Sequence, residues 1–127
     1  MAQILGGYLQ NFAGPVPFNG NASIGPVKVG GDWIASSISA GVRDGGAPGF
    51  GTPGDTIIAG ATLISRIASI SIKGAVIGTA ADGDHFGFTA QQIGSFKAGP
   101  FKAALTAGTD AAIELSPHTG DVAIREV

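Results

Sequence analysis

The side chains able to do acid–base or nucleophilic chemistry are few and scattered. Two histidines, His85 and His118, are the only candidate imidazole bases. Serine is abundant, yet no serine stands in the Gly-x-Ser-x-Gly elbow that exposes a nucleophile at a sharp turn. No cysteine exists, so thiolate chemistry, thiolate metal sites and disulfides are excluded. Asp82, Asp84 and His85 lie close enough in sequence to face one cation, although Asp-Gly-Asp is also an ordinary turn in which Asp bonds its own backbone. Asp32, Asp82, Asp84, Asp110 and Asp121 are the carboxylates from which a glycoside-cleaving pair would be drawn, but each sits beside glycine or in turn-like sequence. Gly49-Phe50-Gly51-Thr52-Pro53-Gly54 has the form GxGxxG. The next residues, Thr56-Ile57-Ile58-Ala59, read as strand, whereas a dinucleotide site needs a helix there. The expectation is a protein that is not an enzyme.

The elements carrying these residues are short strands. The 127 residues suit one domain, 1–127, and 44% are hydrophobic, enough for a core without staples. Twenty-two glycines penalise helix at about 1 kcal/mol each. The one window with helical character, Gly87–Ile93, is long enough for a single turn at most. Strand-like segments include Ser23–Val29, Ile34–Ala40, Thr56–Ala59, Thr62–Ile64, Ile67–Lys73, Ala75–Ile77, Ser95–Ala98, Ile113–Leu115 and Asp121–Arg125, separated by Gly, Pro, Asn and Asp. Alternation puts Val27 and Val29 on one face of their strand, and Ile70 and Ile72 on one face of theirs. Phe86 and Phe88 flank Gly87 in the same way. The aromatic residues are read as core, since they have the largest apolar area to bury.

Three segments share one pattern: Ile24–Gly30, Ile67–Gly74 and Ile93–Gly99. Each reads Ile, small residues or Pro, apolar, polar, apolar or Ala, then Gly. Ile34–Gly41 is a looser fourth copy. Ile67 follows Ile24 by 43 residues, and Ile93 follows Ile67 by 26. A one-faced strand cannot bury itself alone, but parallel stacking of like strands builds ladders and a continuous core. The expected fold is all-β, a parallel β-helix (β-solenoid) of short strands with Gly-rich turns. The alternative is an antiparallel β-sandwich or barrel. Residues 43–56 form a long loop with five glycines and two prolines, through which no strand can run. Its length marks it as a candidate for function.

The net charge is −2, and the seven Lys and Arg residues are scattered singly. That leaves no basic stripe for nucleic acid or for an anionic membrane surface. No apolar run approaches a membrane span, so no membrane insertion is expected.

Gly31–Ile38, Ala68–Gly74, Gly83–Phe88, Gln92–Gly99 and Gly120–Val127 together resemble the C-terminal region of very large bacterial β-strand-repeat proteins. Those are surface or secreted proteins of the β-helical, autotransporter-like or haemolysin-type calcium-binding kind. The resemblance covers most of residues 24–127. It implies a β-helix end piece excised from a longer chain, an extracellular or bacterial cell-surface location, and parent-protein β-helix coils as partners. It also suggests calcium, since the matching loop in such proteins is richer in Asp; here only Asp44 and Asp55 remain in it. With the second turn cluster, the candidate calcium ligands are Asp44, Asp55, Asp82 and Asp84. Calcium takes six to eight oxygens, so two carboxylates alone would bind it weakly. No other cofactor is expected. The function expected is a structural or adhesive module of end-capping coils. The alternative is a carbohydrate-binding or carbohydrate-cleaving module with Trp33 and the 43–56 loop lining a groove for a glycan or other cell-surface ligand. An exposed end coil would favour a homo-oligomer.

Overall fold

A computed structural model describes residues 2–45, 49–81, 83–105, 112–115 and 121–127. Among them the chain is all-β, without a helix, so none is long and apolar enough to cross a membrane. The strands fall into successive passes. The first holds β1 (Gln3–Gly6), a hairpin of β2 (Tyr8–Asn11) and β3 (Gly14–Pro17), then β4 (Ser23–Val29) and β5 (Trp33–Ile34). The second holds β6 (Ser37–Ala40), β7 (Val42–Arg43), β8 (Thr56–Ile57), β9 (Arg66–Ile72) and β10 (Val76–Ile77). The third holds β11 (Phe86–Ala90), β12 (Gln92–Ile93), β13 (Phe96–Ala98) and β14 (Phe101–Lys102). The chain closes with β15 (Ala112–Glu114) and β16 (Val122–Glu126).

Corresponding strands of the passes pair in parallel. One sheet has the order β1-β6-β11-β16-β15, and only its last pairing is antiparallel. A second sheet sets β4 and β12–β13 on the two sides of β9, all parallel, and ends on antiparallel β14. A third consists of β5 and β10, also parallel. β2–β3 and β7–β8 are antiparallel pairs beside these sheets.

Registers put like residues side by side. Ile67 stands between Ile24 and Ile93, and Ile70 between Val27 and Phe96. Ile34–Gly41 belongs elsewhere: Ile38 stands between Ile4 and Phe88 in the first sheet. The inward side chains of all three sheets meet in one core, which includes Ile38, Ile67, Ile70, Ile72, Phe88, Ile93, Phe96 and Ile124. The ring of Phe88 lies 5.4 Å from that of Trp33 and 4.9 Å from that of Phe96. Burying side chains of this size contributes about 1.5–3 kcal/mol each.

Two local expectations are corrected. Gly87–Ile93 holds no helical turn, because β11 lies between β6 and β16 and its backbone pairs with both. Thr62–Ile64 is not a strand. The N–H groups of Thr62 and Leu63 both donate to Asn21 Oδ1, at 2.8 and 2.9 Å, and so are taken from any ladder. The corner between β5 and β6 turns through Ala35 at φ 43°, a left-handed conformation that a non-glycine residue seldom adopts.

Candidate functional site

The 43–56 loop leaves the body through the short β7–β8 pair and returns over the outer face of the first sheet. Its tip lies against β11: a Cβ added at Gly87 would meet Gly51 N at 2.6 Å. The approach therefore requires glycine. The Arg125 Nε–H donates to Gly51 O at 3.2 Å, and Phe50 is buried under the loop. Phe50 packs edge-on to Tyr8 with ring centroids 6.4 Å apart. Tyr8 donates its hydroxyl to Val42 O at 2.9 Å. Burial pushes the phenol up to about 12, and the nearby Asp44 and Asp55 charges add to the effect.

Asp55 is buried inside this loop. One carboxylate oxygen accepts from Gly51 N at 2.7 Å and Thr52 N at 3.2 Å, the other from the Thr52 hydroxyl at 3.2 Å. Burial raises its pKa against the lowering effect of those hydrogen bonds, with a further rise from Asp44. Asp44 accepts from Gly49 N at 2.9 Å. The two loop candidates thus hold the loop's own backbone. Between loop and hairpin lies a cleft of about 370 Å³, lined by Gln3, Tyr8, Pro15, Pro17, Arg43 and Phe50 among others.

Asp84 lies apart from that pair, beside Thr79 and Asp121. The Thr79 hydroxyl donates to Asp84 Oδ2 at 2.5 Å and lies 3.4 Å from Asp121 Oδ2. Asp84 Oδ1 is buried and accepts no hydrogen bond among the described residues. Two carboxylates on one hydroxyl form an oxygen-only cluster of the kind a hard cation prefers. Asp82, Asp110 and His118 lie outside the described residues. Among those described, no three His, Cys, Asp or Glu side chains group as metal ligands.

Other polar candidates also serve backbone. Asp32 accepts from Ala75 N at 2.8 Å, Asp121 from Thr79 N at 2.8 Å, and Glu126 from Ile93 N at 2.9 Å. Each of these bonds joins one pass to another. Four Gly-Asp dipeptides, at 31–32, 54–55, 83–84 and 120–121, lie at or just before a strand start, a signal that could have located these side chains. His85 makes a backbone bridge to Gly49. Trp33 is buried against Phe88 and donates Nε1–H to Ser36 O at 2.9 Å, so it does not line a groove with the loop.

A cleft of about 510 Å³ opens where the third pass turns back at Gly99–Pro100. Val76, Ala98, Phe101 and Leu115 form its walls, with Lys73 and Glu114 also lining it.

Fold and site define an all-β protein in which most of the described acidic side chains accept from its own backbone N–H groups. Compared with family models, with curated proteins and with solved structures, the chain matches none.

Proposed function

We propose that this chain is the closing end of a β-solenoid, a non-catalytic structural module of a bacterial surface or secreted protein. The observation that carries the reading is the difference between the two ends of the parallel stack. At one end β1, β4 and β5 each have one edge without a partner strand among the described residues. The inward residue Ile4 is 44% exposed there, while its ladder neighbours Ile38, Phe88 and Ile124 are fully buried. At the other end β14 and β15 reverse direction and pair antiparallel as the outermost strands of the two large sheets, while in the small third sheet β10 has no further partner among the described residues. Leu105, Ile113 and Leu115 there pack onto the core. A reversal of direction ends a parallel ladder; a free parallel edge invites another coil. The resemblance noted above supports the extracellular setting and parent-protein coils as the partner. Calcium, on this reading, would bind at Asp84 beside Asp121.

Stacks of this kind are nearly one-dimensional, so an added coil should stabilise the end that accepts it. A second copy of residues 36–78 fused ahead of Gln3 should pair with β1, β4 and β5, raise the melting temperature and become protected from hydrogen exchange. The same segment fused behind Val127 should remain unprotected. Equal protection at both ends, or none at either, would refute the proposal.

A further inference from the structure

The chain has four lysines, Lys28, Lys73, Lys97 and Lys102, each isolated in the sequence. Strand pairing gathers all four on the outer face of the second sheet, which corrects the expectation that no basic stripe exists. Lys28 of β4 stands opposite Ser71 of β9, Ser71 opposite Lys97 of β13, and Lys97 opposite Lys102 of β14. These residues form one row across four strands, about 14 Å long. Lys73 follows Ser71 by two residues and so lies on the same face, about 7 Å from the row. The alternate residues Val27, Val29, Ile70, Ile72 and Phe96 turn inward to the core. All four lysines are exposed.

Stability does not account for this row. Like charges directly opposite each other destabilise a sheet, and Lys97 with Lys102 is such a pair. Lysine on an edge strand guards against unwanted pairing, which suits Lys28 on β4 and Lys102 on β14 but not Lys97, whose strand lies inside the sheet. No Asp or Glu occurs in β4, β9, β12, β13 or β14. No carboxylate among the described residues pairs with any of the four ammonium groups. At the Lys73 end Asp32 accepts from Ala75 N, and Glu114 lines the same cleft as Lys73. The positive field is therefore strongest along Lys28, Lys97 and Lys102. The chain as a whole carries −2, so this field belongs to one face and not to the molecule.

We infer that this face binds a linear acidic polysaccharide, a chain of sugars that carry carboxylates. The charges lie in a line, one strand spacing apart between Lys97 and Lys102 and two between Lys28 and Lys97, or about 5 and 10 Å. A sugar of an extended glycan is about as long as one strand spacing, so the lysines meet carboxylates on neighbouring and alternate sugars. An ammonium is a compact point charge suited to single carboxylates, and the row holds no arginine fork for bidentate phosphate. Ser71 within the row and Ser69 beside it offer hydroxyls to those of the sugar. The outward residues Pro26, Lys28, Ser69, Ser71, Lys97 and Lys102 include no aromatic ring on which bases of single-stranded nucleic acid would stack. Nor do they include the large apolar side chains that a membrane surface takes up. A coil stacked on the edge of β4 would leave this face open, so the inference stands whether or not one does.

Fluorescence anisotropy of a labelled oligogalacturonate titrated with the full chain is the test. Wild type should bind it, and log Kd should rise with log salt at a slope of about 3 between about 25 and 100 mM, as a row of lysines displacing counterions requires. Lys97→Gln should weaken binding about tenfold and lower the slope by about 1. Lys28→Gln, on a different strand, should do the same and decides the matter if Lys97→Gln lowers the melting temperature. Arg43→Gln removes the same charge from outside this face and should leave Kd unchanged. The methyl-esterified oligosaccharide, which has lost its charge, should not bind. No binding by wild type at 25 mM salt, an equal loss in Arg43→Gln, or equal binding of the methyl ester would overturn the inference. Tighter binding of an oligothymidylate of equal charge, or of phosphatidylglycerol vesicles, would also overturn it and assign the face to nucleic acid or to membrane.

Discussion

Gly87→Ala should unseat the 43–56 loop, and the size of the effect follows from distances. The added Cβ would lie 2.6 Å from Gly51 N, 2.7 Å from Phe50 C and 2.8 Å from Gly51 Cα. Ordinary carbon contacts begin near 3.5 Å, so the loop backbone must retreat by about 0.8 Å. It has little freedom to do so. Gly51 is held at φ 95° by the 2.7 Å bond from its N–H to Asp55 and by Arg125 on its carbonyl. Overpacking plus one weakened charge-assisted bond comes to about 2–3 kcal/mol. In a domain of this size that lowers the melting temperature by about 10 °C. The only tryptophan, Trp33, is in the core, so its fluorescence reads the unfolding transition in urea. Gly25→Ala is the control, because nothing lies within 4 Å of a Cβ there. Gly87→Ala within about 0.5 kcal/mol of wild type, or Gly25→Ala equally destabilising, would refute the packing of loop on sheet.

The only tyrosine makes its own ionisation visible by absorbance at 295 nm. Tyr8 should titrate near 12 in the folded chain and near 10 once unfolded. Its folded pKa is raised, so its contribution to stability is fully present below pH 10 and is lost as pH rises toward 12; a folded-state midpoint at 10 would disprove its burial under the loop. Excess calcium should raise the melting temperature relative to a chelator, and Asp84→Asn should abolish the rise while Asp44→Asn leaves it; no shift in wild type removes calcium from the proposal.

Much of the strand content was legible from short-range pattern. Alternation in Ile67–Lys73 and around Gly87 marks side chains that are in fact buried, and abundant glycine disfavours helix. Residues 3–17 gave no comparable signal: the hairpin is apolar on both strands, with prolines on one and no clean alternation. Thr62–Ile64 has strand composition, yet Asn21, 41 residues earlier in sequence, captures its N–H groups. A propensity scale cannot register such a partner.

The acidic residues divide in the same way. That the described aspartates lie between strands follows from the glycines beside them. Which N–H each one meets depends on the pass next to it: Asp32 reaches Ala75, 43 residues on, and Asp121 reaches Thr79, 42 residues back. The first sheet pairs residues 34, 50 and 36 apart at its successive steps, while the second pairs residues 43 and 26 apart. Loops of unequal length separate the passes, and no local rule sets those spacings. By itself the sequence determined much of the strand and turn content, because these rest on backbone freedom and residue type within a few positions. Only the tertiary structure decided which carboxylates hold backbone, where Trp33 is buried and which edges stay free, because those depend on neighbours that pairing alone brings together.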